Sequence, residues 1–311
     1  MSLEEAAHAV TATVRASERR DRRREGRRGR HRGRESGESF ARGFAALGQL
    51  ALDGVQVSAR VVDLASGGAL FTVDDHVVMP TASIGKVLLL VEVAARVEAD
   101  PAEGLALLDR TAADAVSGSG IWQHLEAPSL PVSDLAALVG SSSDSLATNV
   151  LLRHVGLDAV TRRTESLGLM RTALLDLVRD HRGPDDAPQL SVGSARELTW
   201  LFGALARGEV VDAAVSRRVI SWLSLNADLS LVAGAFGANP LAHRNREHGI
   251  LIVNKTGADN GVRSDAGVVR GPKGGLVYAV STYFDDADLT TRLAVIEGMR
   301  TVGLDLLEYV H

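Results

Sequence analysis

The sequence predicts an α+β protein: a five-stranded antiparallel sheet with terminal helices on it, and an all-helical lobe inserted between the sheet's two halves. Three observations carry this. Segments of β type lie towards both ends of the chain. A long stretch rich in Ala and Leu, with helical periodicity, separates them. An amphipathic helical segment closes the chain.

At the N-terminus, the first 42 positions hold twelve arginines and seven acidic residues, a net +5, so the remainder sums to −10 within the total of −5. The block "RASERRDRRREGRRGRHRGR" has almost no apolar residues to offset its ordering entropy, and residues 1–37 are expected to be a disordered, arginine-rich tail. Such a tail suits a solvated role; contact with nucleic acid or acidic surfaces by counterion release is the alternative. Its twin arginines resemble an export signal. However, "FARGFAALGQLAL" after them is short, contains Arg42 and lacks a clear small-residue cleavage site, so it reads as the first helix and a cytoplasmic protein is expected.

Residues 38–311 form the folded part, with 45% apolar residues in the whole chain, ample for a sizeable core. "VQVSARVVDL" (55–64) and "ALFTVDD" (69–75) read as strands joined by the turn "ASGG". The middle, about 83–235, is the helical lobe. Thr81 or Ser83 is placed to cap a helix running to about Glu98; "PVSDLAALVG" offers Ser133 as start and Gly140 as stop; "SVGSARELTWLFGALARGE" offers Ser194 and Gly208. Strands follow at 250–256, 265–270 and 275–284, with "GPKG" turning between the last two. They must join the first two strands, because a lone hairpin is marginal. A helix over about 288–308 shows apolar spacing through Leu293, Val295, Ile296 and Met299.

Composition excludes several chemistries. With no cysteine there is no disulfide, thiolate metal site or thiol nucleophile. No apolar run reaches the length of a membrane span. The nine histidines form no HExxH or similar pair, and His243 and His248 sit in a polar loop, so no metal is expected. There is no Gly-rich phosphate loop beside a helix, so nucleotide enzymes are disfavoured and no cofactor is expected. A monomer is expected.

The chain has only three lysines, and Lys86 stands in an apolar segment three residues after Ser83. Positions i and i+3 share a helix face. Burial disfavours the ammonium form, and a neutral amine can take the proton of a serine hydroxyl, which makes Ser83 a nucleophile. About 0.2 such pairs arise by accident in a chain of this composition, so the pair alone is weak evidence. In "SSSDSLATNVLL", Ser143 is positioned to relay a proton to a leaving group and Asn149 to brace the loop; the same residues also read as a polar capping turn. "NKTG" ends the third strand: Lys255 offers a positive charge for a carboxylate, Thr256 a hydroxyl, and Gly257 close approach to the strand edge. A Lys-Thr-Gly triplet is expected by chance only about 0.014 times. Lys273 lies in an exposed turn.

"SIGK", "SDS" and "KTG" in this order resemble the three signatures of serine β-lactamases and penicillin-binding proteins, and the short spacing from Ser83 to Ser143 is similar to the class A branch. The resemblance covers about residues 38–311. It implies that Ser83 is acylated by a cyclic amide or ester, with Lys86 as its base, directly or through water. Ser143 passes a proton to the leaving nitrogen. Lys255 supports Ser143 and, with Thr256, holds a substrate carboxylate. The backbone N–H groups of Ser83 and Ala258 form the oxyanion hole. Arg263 adds charge for the carboxylate or is a solvated hairpin arginine. Asp144 is a structural support.

Two departures matter. The usual asparagine of the second motif is Ser145, shorter and without an amide, at a position implied to contact substrate. The loop "MRTALLDLVRDHRGPDDAPQL" lacks the glutamate that activates water for deacylation. Asp176 and Asp180 are its candidate substitutes, though both also read as solvated or salt-bridged. The leading expectation is therefore β-lactam hydrolysis with slow deacylation. An esterase, peptidase or acyltransferase, and a non-turnover penicillin-binding sensor or pseudoenzyme, are the alternatives.

Overall fold

A computed structural model of the protein describes residues 40–243 and 247–311; the expectations for the arginine-rich tail lie outside the described residues. The chain runs α1 (Ala41–Leu52), β1 (Gln56–Asp63), β2 (Ala69–Val73), β3 (Met79–Pro80), a 3-10 turn (Ala82–Gly85) and α2 (Lys86–Ala99). It continues through β4 (Leu107–Asp109), β5 (Ser129–Pro131), α3 (Val132–Ser142), α4 (Ser145–Val155), α5 (Leu157–Ser166), β6 (Ala173–Leu174) and β7 (Ser191–Gly193). Then come α6 (Ala195–Arg207), α7 (Ala213–Leu223), β8 (Leu251–Asp259), β9 (Val262–Gly271), β10 (Gly274–Tyr283) and α8 (Leu289–Val310).

The sheet has the order β2-β1-β10-β9-β8, antiparallel throughout, so the two halves expected from the ends of the chain do join, through β1 and β10. Each face of the sheet is covered, and the alternation of side chains along the strands divides the core in two. Leu276, Tyr278 and Val280 of β10 and Ile252 of β8 meet Leu47 and Leu50 of α1 and Val295, Met299, Val302 and Leu306 of α8. Their neighbours Val277, Ala279, Leu251 and Val253 point the other way, into the core shared with Leu198, Leu201, Phe202 and Leu205 of α6. A sheet covered on both faces explains why these strands read as near-continuous apolar runs. Within the helical layer α2 is buried almost all round, from Lys86 through Ala94, as expected of a helix apolar on every side.

The terminal helices are locked by a charge. Asp305 of α8, fully buried, accepts from the Gly43 backbone N–H at 2.7 Å and from Arg42 Nε at 2.8 Å. Arg42 also donates to Glu308 at 2.6 Å. A Cβ at Gly43 would sit 3.2 Å from the Val302 Cα, so the glycine lets the helices approach closely.

Ser194 caps α6 as expected, accepting from Glu197 N–H, and Gly208 ends it in the left-handed region at φ 79°. Four other local expectations are corrected. Helix α3 starts at Val132 with no side-chain cap from Ser133, and it runs past Gly140 to Ser142. Gly140 serves packing: a Cβ there would lie 2.6 Å from the Trp222 carbonyl oxygen on α7. Neither Thr81 nor Ser83 caps α2; both precede the 3-10 turn or lie in it, with no side-chain cap bond. Leu293 of α8 is exposed, and the buried stripe runs instead through Val295, Met299, Val302, Leu306 and Val310. Among the described residues no helix is long and apolar enough to cross a membrane, and no group of three or more His, Cys, Asp or Glu is placed to hold a metal ion.

Candidate active site

Three segments meet where the edge strand β8 crosses the start of α2. The first is the turn Ala82–Gly85. Ala82 is held at φ 47°, a costly conformation for a residue with a side chain. Ser191 of β7 pins it: the Ser191 hydroxyl donates to the Ala82 carbonyl at 2.6 Å and lies 2.7 Å from the Thr81 hydroxyl. A Cβ on Gly85 would sit 2.2 Å from the Ser191 Cβ, so this turn admits only glycine there. Ser83 is half-buried in the turn, and Lys86 begins the helix three residues on.

The second segment is the turn between α3 and α4. Ser143 ends α3 in the left-handed region at φ 56°. Lys86 Nζ donates to the Ser143 carbonyl oxygen at 2.7 Å and lies 3.3 Å from Ser143 Oγ. Asp144 caps α4, accepting from Ala147 N–H, and its other oxygen accepts from the N–H groups of Ile121 and Trp122. The loop Ser117–Gly120 lies on this turn. Ser119 Oγ donates to the Ser143 carbonyl at 2.9 Å, and the Ser119 carbonyl accepts from Ser145 N–H at 2.8 Å. Ser145 is buried, its hydroxyl 3.5 Å from that of Ser119, and a Cβ on Gly118 would strike it at 2.5 Å.

The third segment is the end of β8. Lys255 is fully buried and donates to the Thr256 carbonyl at 2.7 Å. The close approach that Gly257 permits is made by the chain itself: a Cβ there would lie 2.2 Å from the Thr81 carbonyl oxygen and 3.1 Å from the Ser83 nitrogen. Strand β8 therefore runs against the turn that bears Ser83, with Ala258 exposed just beyond, opposite Arg263 on β9.

The electrostatics follow from burial. Lys86, with only 1% of its surface exposed, has its amine pushed well below the ordinary lysine range, first by desolvation and then by the charge of Lys255; Asp144 opposes this weakly. Lys255 is lowered to about 8 by burial, against the pull of Asp228 and Asp265. Asp265 of β9, buried beneath the strand, is raised to about 7 by desolvation, although Asn254, Tyr278 and the Ala233 N–H all donate to it.

The structure brings Ser83, Lys86, Ser143, Lys255, Thr256, Gly257 and Ala258 to one locality. Asn149 braces neighbouring segments rather than its own loop. Its amide donates to the carbonyls of Asp114 and Val178, and it accepts from Val178 N–H at 2.9 Å. Asp176 is tied to Arg179 and Arg182; burial pushes its carboxyl up, but those partners and the Leu177 N–H hold it below the usual range. Asp180 accepts from the hydroxyl and N–H of Ser117, which also hold it low. Arg263 donates to the carbonyls of Asp259 and Val262, lies over the Phe284 ring and faces Asp286 at 3.8 Å.

Two contributors escaped sequence reasoning. Ser191 is a lone serine 108 positions from Ser83, with no local signal. Asp228, in the loop after α7, accepts from the Thr256 hydroxyl at 2.6 Å and from Ser230. Its segment, "NADLS", matches none of the motifs that single out the other site residues.

Comparison with solved structures gives the same architecture. A beta-lactamase from Sphaerobacter thermophilus DSM 20745 superposes with a TM-score of 0.75 at 26% identity, covering 87% of this chain and 97% of that one. PBP-A, solved as a point mutant in an acyl-enzyme complex with penicillin G, gives 0.71 at 21% identity over 86% and 94%. A class A beta-lactamase from Mycobacterium abscessus gives 0.69 at 19% over 84% and 97%. No curated protein is significantly similar in sequence. The profile of the Beta-lactamase enzyme family matches residues 40–310, and the chain belongs to that family.

Proposed function

We propose that the protein is a serine hydrolase that opens acyl donors of the β-lactam kind through an acyl-enzyme on Ser83, and that it releases the acyl group slowly. The observation that carries this reading is Lys86: fully buried, with its amine pushed well below the ordinary lysine range, next to the Ser143 hydroxyl and three residues on from Ser83. As Ser83 Oγ attacks the carbonyl carbon, the Lys86 amine takes its proton. The oxyanion is held by the backbone N–H groups of Ser83 and Ala258, an arrangement supported by the packing of Gly257 against the Ser83 nitrogen. The C–N bond then breaks. Ser143 gives its proton to the leaving nitrogen and regains one from Lys86, so one proton has moved from Ser83 to the departing amine and an ester bond remains.

Slow release is supported by the side chains that border this locality. The backbone position that Asn149 clamps belongs to Val178, an apolar residue whose Cγ1 lies 3.9 Å from a Cβ built on Gly118. The carboxylates of Asp176 and Asp180, the two candidate substitutes for a deacylating glutamate, are occupied by other partners. Neither is left to activate water.

The test is to mix the protein with excess chromogenic cephalosporin and record turnover and intact mass together. The expected result is a stoichiometric adduct mapping to Ser83, absent in Ser83→Ala, with turnover slower than adduct formation. An adduct that persists in Ser83→Ala would sink the reading, as would turnover with unmodified Ser83→Ala.

A further inference from the structure

The lysine and hydroxyl at the end of β8 present a cation and a hydrogen-bond donor, a pairing suited to an incoming carboxylate. In this chain a carboxylate is already there. The Thr256 hydroxyl donates to Asp228 Oδ2 at 2.6 Å, and Asp228 counts among the charges acting on Lys255. The other oxygen of Asp228 accepts from the N–H and hydroxyl of Ser230, at 3.1 and 2.6 Å, which fixes the side chain in place. Asp228 is nevertheless exposed to solvent. Burial raises this carboxyl, but the donors Ser230 and Thr256 and the charge of Lys255 outweigh that and hold it below the usual range, so it stays ionised at neutral pH. The neighbouring cation is answered in the same way. Arg263 faces Asp286, which is itself gripped by Arg292 at 2.8 and 2.9 Å.

The geometry points to Asp228 as a specificity-determining residue that fills the carboxylate subsite from within, so that this protein prefers acyl donors with an uncharged or cationic group at that end over donors with a carboxylate there. The inference rests on the acyl-enzyme reading for its substrate, but not for the state of the subsite. A donor bearing a carboxylate would have to displace Asp228 from Thr256 or sit against it, and like charges at close quarters are strongly disfavoured. A neutral ester or amide meets no such opposition, and an ammonium group gains a partner.

The test compares benzylpenicillin with its methyl ester, following acylation of the full chain by intact mass. The wild-type protein is expected to react about tenfold or more faster with the ester. In Asp228→Asn the preference should reverse, because the negative charge that opposes the carboxylate is gone while the charge of Lys255 remains. Faster reaction of the wild type with benzylpenicillin would overturn the inference without touching the acyl-enzyme. A second readout needs no acylation: calorimetric binding of benzylpenicillin to Ser83→Ala and to Ser83→Ala/Asp228→Asn. Binding tightened about tenfold in the double variant supports the inference even if neither donor acylates the wild type, an outcome that would sink the acyl-enzyme reading alone. Equal binding by the two variants overturns the inference.

Discussion

Lys86 and Lys255 are both fully buried, but their surroundings set them different tasks. Lys86 is pushed well below the ordinary lysine range by desolvation and then by the like charge of Lys255, which favours the form that can accept a proton, while the Ser143 oxygens at its amine fix where it points. Lys255 is lowered only to about 8, because Asp228 and Asp265 favour its charge. If acylation uses the Lys255 charge, the rate constant should fall as pH rises through about 8, since the amine loses its proton there. Asp228→Asn removes a stabilising anion and should move this alkaline limb to lower pH; stopped-flow acylation on both sides of the limb measures both effects. Val178 gives the second expectation at this scale. Asn149 clamps its backbone on both sides, so a substitution there leaves the loop's anchor in place. Val178→Glu supplies a carboxylate at a braced position, and general-base help is worth about 10²–10⁴-fold when well placed. We expect the Ser83 adduct to decay about tenfold or more faster in this variant, read as adduct lifetime by mass.

Elements, rather than residues, decide whether the turn bearing Ser83 holds its shape. Strand β8 runs across it so closely that Gly257 has the Thr81 carbonyl where a Cβ would be, and Gly85 has Ser191 in the same relation. Gly85→Ala should therefore abolish acylation while circular dichroism still reports a folded chain. Gly48→Ala, on α1 with open space at its Cβ, should leave acylation unchanged. These contacts also mark what the sequence could disclose. The five strands and both terminal helices were legible because their signals are local: β-branched runs, turn residues, and the Ser194 and Gly208 caps of α6. The Gly140 stop failed because that glycine answers to Trp222 on another helix, a tertiary demand without local trace. In the site, Ser83, Lys86, Ser143 and the Lys-Thr-Gly end of β8 stood out by residue type and spacing. Asp228 did not, because an acid in a polar turn looks the same whether it faces water or a threonine 28 positions away.

Across the whole molecule, a buried polar chain joins the sheet to the helical layer at the floor of the site. Asn226, just after α7, donates to Asn254 of β8 at 2.9 Å; Asn254 donates to Asp265 of β9 at 2.9 Å; Tyr278 of β10 donates to the same carboxyl at 3.0 Å. The Ala233 N–H, from the connection that leads into β8, completes it at 3.3 Å. Desolvation raises Asp265 to about 7, above the ordinary carboxylate value of 3.8. The folded state thus holds this proton more tightly than the unfolded chain does. The stability linked to the proton is present in full below about 3.8 and is lost as pH rises through about 7. Integrated between about pH 5 and about pH 8, that raised value corresponds to about 2–3 kcal/mol. Asp265→Asn cannot titrate. Its amide meets three donors with one acceptor oxygen, so the variant starts less stable, but the offset is independent of pH. Urea unfolding of both proteins at the two pH values should therefore show the variant gaining about 2–3 kcal/mol on the wild type on going from the acidic to the alkaline condition. A gap that stays constant would mean that Asp265 is ionised throughout and that its three donors outweigh its burial.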